Sequence, residues 1–516
     1  MVSAADTPAW AGHLRAGSDF RPADLLEDSS LPGRIVRRWS ERPLWAQLQD
    51  VDGTWIGSEQ LEQRTGRAAR RLREAGLAPG DRLVLCAGTS AHLVVAYLAA
   101  LRAGLVVVPL NTAYTRTEVQ RLVRDSAPAA AAVDDDERAR WIREASEGNV
   151  AIADLSLDLG FHTRGQGGAG ESGDALDAAG PSDPALLVYT SGTTGQPKGA
   201  LLTHGNLLAS ATAVEIAWRW EREDSLLLAL PLFHVHGLGV GLNGSLCAGG
   251  SVVLRSRFDP ADIAECCDAR TVSMFFGVPT MYQRLVSSGH ASSLRSLRLI
   301  VSGSAPLPAA LAEEVAAQAG QIPLERYGMT ETIMLTSNPY DGPRKPGTVG
   351  FPLPGVELRL AGDAGEIEVR GPNVIAGYYN RPDANTESFT ADGWFRTGDL
   401  GELDGDGYLT LNGRSKELII TGGYNVYPRE VEEVLATHPG VREVAVVGRP
   451  SETWGEEVTA VIVAEQVIPV DELRAHAARE LAPYKVPKRF EFADELPRNA
   501  MGKIVRGQLS ETHRAG

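Results

Sequence analysis

Residues 189–200 read YTSGTTGQPKGA, and they begin at the end of a short apolar run, 185–190, that predicts a buried strand. Glycines let a backbone approach an anion closely, and hydroxyl and amide groups donate hydrogen bonds to phosphate oxygens. Lys198 adds a mobile positive charge. The spacing differs from the Walker pattern, in which glycine directly precedes the lysine and serine or threonine follows it. The stretch therefore predicts a phosphate-binding loop of a different kind.

Short apolar runs alternate with helical patterns on both sides of this loop, from about residue 81 to residue 327. Predicted buried strands are 105–110, 185–190, 226–230, 272–276 and 297–301, and predicted helices include 92–103, 206–218, 260–269 and 308–317. This alternation predicts an α/β fold in which a parallel sheet is covered on both faces. Ligands of such sheets bind at loops that leave the carboxyl ends of the strands.

The pattern changes after about residue 362. Short strands at 366–370, 408–411 and 417–421 predict a β-rich region. From Pro428 a helix, strands at 441–447 and 457–463, and a helix at 470–481 predict a small α+β unit. We place the boundary so that residues 1–413 form a large N-terminal domain, which includes the β-rich region, and residues 414–516 form a small C-terminal domain.

Composition narrows the class of protein. The chain has 516 residues and a formal net charge of −16, which argues against broad nucleic-acid binding. Its four cysteines are scattered in apolar stretches, as expected for reduced, buried thiols of a cytoplasmic protein. We expect no signal peptide and no membrane span. The predicted partners are small molecules, and a monomer and a homodimer both remain open.

Six further motifs accompany the loop in a particular order. They are PLFHVHGL at 231–238, SGSAP at 302–306, ERYGMTET at 325–332, FRTGDL at 395–400, GRSKELIITGGYNVYPREVEE at 413–433 and PRNAMGKIVR at 497–506. From about residue 57 to residue 506 the chain resembles the adenylate-forming superfamily, which contains acyl-CoA synthetases, adenylation domains of peptide synthetases and luciferases. Within that superfamily it resembles malonyl-CoA synthetases most.

The resemblance implies a set of nucleotide and coenzyme A contacts. Tyr327 would stack on adenine, Thr330 would contact the α-phosphate, Asp399 would accept hydrogen bonds from the ribose, and Arg414 would contact ribose or phosphate. Lys416 occupies the hinge of a mobile C-terminal domain, and Gly422 and Gly423 would line the pantetheine channel. The remaining implied contacts are Thr190, Ser191, Gly192, Thr193, Thr194, Gly195, Lys198, Gly303, Ser304, Ala305, Glu325, Arg326, Gly328 and Met329.

The resemblance also implies a reaction that uses ATP, Mg²⁺ and coenzyme A. A substrate carboxylate attacks the α-phosphate and diphosphate leaves; the CoA thiol then attacks the acyl-adenylate and AMP leaves. Lys503 would bridge the carboxylate and the α-phosphate, and Glu331 would bind the metal, which prefers oxygen ligands. Thr330 and Lys198 would stabilise charge on the phosphoryl oxygens. No residue is an obvious base for the thiol.

The acyl pocket is less determined by sequence. The resemblance implies that His234, Val235, His236 and Ser302 line it. Malonate, and more weakly methylmalonate, is the predicted acid, with Arg284 holding the distal carboxylate and Arg326 the second candidate. The alternatives are a ligase for a short, branched or aromatic monocarboxylic acid, a stand-alone adenylation enzyme that loads a carrier protein, and an inactive binding homologue.

Overall fold

The computed structural model describes residues 8–28, 30–157, 159, 176–190, 197–421, 424–451, 453–498 and 504–511. The chain divides into two compact units. The first unit contains Met1–Glu357 and Val369–Phe395, and the second contains Leu358–Glu368 and Arg396–Gly516. The predicted boundary after Gly413 remains a prediction.

The α-helices follow in chain order. They are α1 Leu31–Glu41, α2 Ser58–Glu74, α3 Ala91–Arg102, α4 Arg116–Ser126, α5 Asp136–Ala145, α6 His204–Ala217, α7 Asn243–Ala248, α8 Pro260–Asp268, α9 Pro279–Ser287, α10 Ala309–Ala319, α11 Pro382–Ser388, α12 Pro428–Ala436, α13 Val470–Glu480 and α14 Arg506–Glu511. Short 3₁₀ turns include Ala9–His13 and Ser415–Glu417, and His236–Leu242 forms a π-helical segment.

The strands lie between these helices. They are β1 Ala46–Gln49, β2 Trp55–Gly57, β3 Arg82–Cys86, β4 Val106–Pro109, β5 Ala130–Val133, β6 Ala151–Asp154, β7 Pro184–Thr190, β8 Lys198–Thr203, β9 Ser225–Leu228, β10 Ser251–Leu254, β11 Met274–Gly277, β12 Leu299–Ser302, β13 Leu324–Tyr327, β14 Thr336–Ser337, β15 Phe351–Pro352, β16 Glu357–Ala361, β17 Glu366–Arg370, β18 Phe395–Leu403, β19 Leu409–Arg414, β20 Ile419–Thr421, β21 Tyr424–Val426, β22 Val441–Ser451, β23 Gly455–Ala464 and β24 Arg489–Phe492.

Two largely parallel sheets form the first unit. The larger has the order β15-β14-β13-β12-β11-β9-β10-β1-β2, and its strands from β13 to β1 pair in parallel. Strands β11 and β12 are buried along their whole length, because helices cover both faces of a parallel sheet. The loops after β9, β12 and β13 therefore leave neighbouring strand ends, where His234, Gly303 and Tyr327 are found.

The smaller sheet has the order β6-β5-β3-β4-β7-β8. Its last pair is antiparallel, and Thr190 at the end of β7 faces Lys198 at the start of β8. This hairpin therefore brings together the two ends of the predicted phosphate loop.

The second unit contains two sheets, in which β18 pairs with β19 and β22 pairs with β23 antiparallel, whereas β24 pairs with β23 in parallel. Strands β16 to β19 follow one another in a four-stranded sheet, and β22 and β23 form a long hairpin that also pairs with β20 and β24. Apolar residues of α12, α13 and these strands form its core.

The predicted α/β class is confirmed, and each quoted strand run overlaps an observed strand. Two details differ from the prediction. The alternating strands and helices belong to two sheets. The sequence did not predict this division, because local periodicity does not show which strands pair. The strand predicted at 417–421 begins only at Ile419, because Ser415–Glu417 forms a 3₁₀ turn.

The four cysteines are free and buried, as predicted. Burial raises the pKa of Cys86 and of Cys247 to about 12, so neither thiol is activated. Among the described helices, none combines the length and apolar character needed to cross a membrane.

Candidate active site

The structure describes the two ends of the predicted phosphate loop. The Thr190 hydroxyl donates a hydrogen bond of 3.3 Å to the carbonyl of Lys198, which closes the β7–β8 hairpin. Lys198 is half-buried, with its Nζ 5.3 Å from the ring centroid of Tyr378. The predicted contacts Ser191, Gly192, Thr193, Thr194 and Gly195 lie outside the described residues.

The predicted metal ligand Glu331 is buried beside the same tyrosine. The hydroxyl of Tyr378 donates a hydrogen bond of 2.8 Å to Oε1 of Glu331. Tyr378 thus contacts a predicted metal ligand and lies under a predicted phosphate-binding lysine. Sequence reasoning missed Tyr378, because a tyrosine in the string GYYN carries no spacing signal for either contact.

A tight loop follows β13. The predicted adenine contact is the last residue of the strand, and the predicted α-phosphate contact lies in the loop. Tyr327 ends β13 and is buried, whereas Met329 and Thr330 are half-buried. A Cβ on Gly328 would lie 2.1 Å from the carbonyl oxygen of Ile333, so only glycine fits there. The glycine allows the strand end to turn directly into the loop that carries Thr330.

The loop after β12 packs against Arg326. Ser302 is fully buried, and a Cβ on Gly303 would lie 2.4 Å from the guanidinium carbon of Arg326. The guanidinium therefore lies against the loop backbone. Ser304 and Ala305 are exposed, and Glu325 accepts a hydrogen bond of 2.8 Å from the Leu307 amide. This hydrogen bond thus attaches the loop after β12 to strand β13.

The histidines after β9 lie near Arg326. Nδ1 of His236 is 2.9 Å from the hydroxyl of Ser304, which adopts a left-handed conformation with φ of 69°. Burial, and then the charge of Arg326, lowers the pKa of His234 to about 4 and that of His236 well below its usual value. Both imidazoles are therefore neutral near pH 7. Val235 between them is buried.

Arg326 is a buried cation. It is 5% exposed, and its Nε and Nη2 atoms have no hydrogen-bond partner within the described part of the chain. Burial lowers the pKa of Arg326 to about 9. Burying a charge without a counter-charge is costly, so the site is suited to an anionic ligand.

Arg284 has a different environment. It lies near the end of α9, is exposed, and its guanidinium carbon is 5.0 Å from the ring centroid of Phe258. An exposed arginine keeps its hydration, so its placement argues against the predicted contact with a buried carboxylate. Arg326 is the better candidate.

The predicted ribose contacts belong to the second unit. Nε of Arg414 is 3.0 Å from Oδ1 of Asp399, and the amide of Asp399 donates a hydrogen bond of 3.0 Å to the Thr397 hydroxyl. These contacts orient the Asp399 carboxylate. Lys416 lies exposed in the turn Ser415–Glu417.

The last predicted contacts fall in segments that carry no description. Gly422, Gly423 and Lys503 lie outside the described residues, and their roles stay predictions. Three residues after Lys503 in the sequence, Arg506 forms ion pairs of 2.8 Å with Glu432 and 3.1 Å with Glu417. These pairs attach the start of α14 to its own unit.

Comparison with known families resolves the class of protein. The profile of the AMP-binding enzyme family matches residues 35–379, and that of the AMP-binding enzyme C-terminal domain matches residues 430–503. The chain belongs to the AMP-binding enzyme family. This AMP-binding enzyme thus carries the adenylate-forming fold that the motifs predicted.

Several relatives and a solved structure resemble the enzyme along most of its length. A feruloyl-CoA synthase of an Amycolatopsis species is 38% identical over 89% of this chain and 94% of its own. A malonate–CoA ligase of Arabidopsis thaliana is 36% identical over 87% of this chain and 80% of its own. ATP-bound MatB from Rhodopseudomonas palustris is 40% identical, with a TM-score of 0.87 over 94% of this chain and 99% of its own.

The enzyme is an acid–thiol ligase that uses ATP, Mg²⁺ and coenzyme A. The residues present fit a magnesium ion that is bound mainly by substrate phosphates. The described residues contain no group of three His, Cys, Asp or Glu side chains that could hold a metal. One buried carboxylate, Glu331, suffices for such an ion, since Mg²⁺ usually binds through one or two carboxylates together with phosphates.

Proposed function

We propose that this enzyme is a malonate–CoA ligase that accepts methylmalonate more weakly, and that Arg326 binds the distal carboxylate. The proposal rests on the buried guanidinium of Arg326, whose Nε and Nη2 atoms have no hydrogen-bond partner among the described residues. A dicarboxylate brings a second negative group into the acyl pocket, and a monocarboxylate does not. The second carboxylate would supply a counter-charge that no described residue supplies to Arg326.

The surroundings of Arg326 support a single, well-defined anion contact. His234 and His236 are neutral near pH 7, so they add hydrogen-bonding capacity without further charge. Nε2 of His236 is buried and has no hydrogen-bond partner among the described residues. One fixed cation beside neutral polar groups suits one carboxylate, because a planar guanidinium can donate two parallel hydrogen bonds to it.

A ligase for a short, branched or aromatic monocarboxylic acid is the second candidate. It is favoured by the feruloyl-CoA synthase among the relatives. Such an acid would leave Arg326 buried without a counter-charge, which is the reason we prefer the dicarboxylate. The carrier-protein alternative is not carried forward, since the relatives are CoA ligases.

The proposed division of labour in the reaction follows the resemblance. Lys503, Lys198 and Thr330 stabilise charge on the α-phosphate during attack by the carboxylate, and Glu331 holds the metal. Tyr327 and Asp399 bind the adenosine, with Arg414 contacting ribose or phosphate. Gly422 and Gly423 line the path of the CoA thiol, and Lys416 is the hinge. We also propose a cytoplasmic location.

A panel of acids tests the substrate assignment. AMP release by the wild-type enzyme is measured with malonate, methylmalonate, butyrate and ferulate, each with and without coenzyme A. We expect the highest kcat/KM for malonate and the formation of malonyl-CoA. A higher kcat/KM for butyrate or ferulate would overturn the dicarboxylate assignment and leave the ligase class intact.

A further inference from the structure

The loop between β13 and β14 carries the proposed metal ligand. Tyr327 at the end of β13 pairs antiparallel with Thr336 at the start of β14, and the amide of Leu335 donates a hydrogen bond of 2.9 Å to the Tyr327 carbonyl. Residues 328–334 therefore form a closed hairpin loop, which includes Glu331. The backbone of so short a loop decides where the Glu331 carboxylate lies.

One residue of this loop has an unusual backbone conformation. Ile333 is buried and has a φ of 57°, in the left-handed region. A β-branched side chain is disfavoured there, because its Cβ approaches the backbone carbonyl. The carbonyl oxygen of Ile333 lies so close to Gly328 that a Cβ on that glycine would be 2.1 Å away. Such a conformation persists only where the surrounding structure holds it.

Asn373 supplies that support from outside the loop. It is 2% exposed, and its Nδ2 donates a hydrogen bond of 2.8 Å to the carbonyl of Thr332 and another of 2.8 Å to the carbonyl of Met334. These two carbonyls lie on either side of Ile333 along the chain. One side-chain amide therefore binds the backbone both before and after the left-handed residue.

The chemistry of this contact requires an amide. A carboxamide nitrogen carries two N–H groups, so it can donate to two carbonyl oxygens at once, and a carboxylate of the same shape cannot. Oδ1 of Asn373 is buried and has no hydrogen-bond partner among the described residues. The contacts with the two loop carbonyls therefore orient this side chain. Removing the donor would deprive two buried carbonyls of a partner, which is costly.

The segment that begins at Asn373 contacts Glu331 directly as well. The amide of Ile375 donates a hydrogen bond of 2.9 Å to the Glu331 carbonyl, and the hydroxyl of Tyr378 donates one of 2.8 Å to its carboxylate. Residues 373–378 thus bind the backbone of the loop and also the carboxylate that the loop presents.

We propose that Asn373 is a positioning residue for Glu331. By pairing with the carbonyls on both sides of Ile333, it stabilises the left-handed turn that sets the direction of the Glu331 carboxylate. Asn373 acts through the loop backbone. The inference rests on the proposed role of Glu331 as a ligand of Mg²⁺, and it is independent of which acid is activated.

Binding of Mn²⁺, followed by electron paramagnetic resonance, tests the inference without turnover. Mn²⁺ is titrated into the full chain saturated with a non-hydrolysable ATP analogue, and the analogue alone gives the blank. Asn373→Asp keeps the shape of the side chain and removes its two donors. We expect about tenfold weaker binding of Mn²⁺, since partners that orient a metal ligand typically contribute such a factor.

Two further variants set the scale. Glu331→Gln removes the proposed ligand itself and should weaken Mn²⁺ binding at least as much as Asn373→Asp. Gln47→Glu is the matched control, because Gln47 is buried and its Nε2 donates to the carbonyl of Gly250. It lies on β1, with four strands between β1 and β13 in the sheet. Gln47→Glu also loses a buried amide donor but should keep the Mn²⁺ affinity within about twofold, because distant sites act independently.

Ile333→Gly separates a specific role of Asn373 from a general one. Glycine adopts the left-handed region without strain, so the turn depends less on Asn373 in this background. Asn373→Asp should then weaken Mn²⁺ binding by no more than about threefold, compared with about tenfold when Ile333 is present. If Asn373→Asp does not fold, as judged by circular dichroism, Asn373→Ser replaces it. Its hydroxyl donates at most one hydrogen bond, and we expect about threefold weaker binding.

The possible failures are distinguishable. Wild-type Mn²⁺ affinity in the folded Asn373 variant, together with weak binding by Glu331→Gln, would overturn the positioning role and leave the proposed metal ligand intact. Unchanged affinity in Glu331→Gln would refute the metal role itself, and with it the inference. Equal weakening by Asn373→Asp and Gln47→Glu, or the same factor with and without Ile333, would reduce Asn373 to a packing residue.

Discussion

The hydroxyl of Tyr378 donates a hydrogen bond of 2.8 Å to Oε1 of Glu331. The same phenol ring has the ammonium nitrogen of Lys198 at 5.3 Å from its centroid. One tyrosine thus contacts the proposed metal ligand and the proposed phosphate-binding lysine. This hydrogen bond orients the Glu331 carboxylate, which would hold Mg²⁺ through an oxygen ligand.

Replacing Tyr378 by phenylalanine tests this role. Hydrogen bonds to charged groups contribute about 1.5–3 kcal/mol, so we expect acid-dependent ATP–diphosphate exchange to fall about 10- to 100-fold. The Mg²⁺ concentration for half-maximal exchange should rise, because Glu331 loses its orienting partner. Tyr379→Phe is the matched control and should behave as wild type. An unchanged Mg²⁺ requirement in Tyr378→Phe would leave Tyr378 with a packing role only.

Arg326 is a buried cation and Arg284 is an exposed one, so substitutions at the two positions test which arginine binds the distal carboxylate. Losing one partner of a buried charge pair costs about 2–5 kcal/mol, so Arg326→Gln should lower kcat/KM for malonate roughly 30- to several-thousand-fold. Its kcat/KM for butyrate should not fall, since that acid lacks the second carboxylate. Arg284→Gln should change neither value by more than about threefold. A large loss in Arg284→Gln alone would restore the sequence-based choice of arginine.

Lys503→Ala should separate the two half-reactions. The lysine is proposed to contact the carboxylate and α-phosphate only during adenylation. We expect acid-dependent ATP–diphosphate exchange to be lost while CoA thioester forms from supplied acyl-adenylate at close to the wild-type rate. Near wild-type exchange in this variant would contradict the assignment. Acylation of the Lys503 amine should inhibit in the same way, because it removes the charge.

Gly423→Leu should have the opposite effect. A leucine side chain would obstruct a thiol that passes beside the backbone, and adenylation does not involve that path. Enzyme-bound acyl-AMP should accumulate in a single turnover and should react slowly with coenzyme A. Equal loss of both half-reactions would indicate misfolding or a wrong assignment of the loop. The two variants serve as controls for each other.

His13 supplies a test of stability against pH. Burial lowers the pKa of its imidazole from 6.5 to about 4 in the folded protein. The unfolded chain therefore binds a proton at a pH at which the folded protein does not, and the free energy of unfolding falls as the pH decreases from 6.5 towards 4. The pKa values of His204 and His234 are lowered in the same direction.

His13→Gln removes one of these contributions and keeps an N–H donor for the Phe351 carbonyl, which lies 3.3 Å from Nε2 of His13. Urea unfolding between pH 4.5 and 6.5 should show a slope against pH that is smaller by up to about 1.4 kcal/mol per pH unit than in wild type. A wild-type slope in this variant would mean that His13 takes up its proton without unfolding.

The sequence by itself determined the α/β class and the order of the motifs, and it predicted the phosphate loop. These features are local: apolar runs in β9, β11 and β12 predict buried strands, and the string that ends at Lys198 has its chemistry in consecutive residues. The structure of a short motif depends mainly on its own consecutive residues, so it can be predicted from the sequence. The predictions that Glu331 binds the metal and that Thr330 contacts the α-phosphate therefore came from the motifs alone.

Only the tertiary structure decided which distant groups meet and which charges are buried. Tyr378 reaches Glu331 across 47 residues, and Asp125 reaches Tyr189 across 64. Our proposal of Arg326 in place of Arg284 as the carboxylate contact has the same origin. The sequence does not show which of the two arginines is buried. In the structure Arg284 is exposed on α9, whereas Arg326 is buried near the end of strand β13. Burial is set by the packing of segments far apart in the chain, and burial gives a cation its need for a partner.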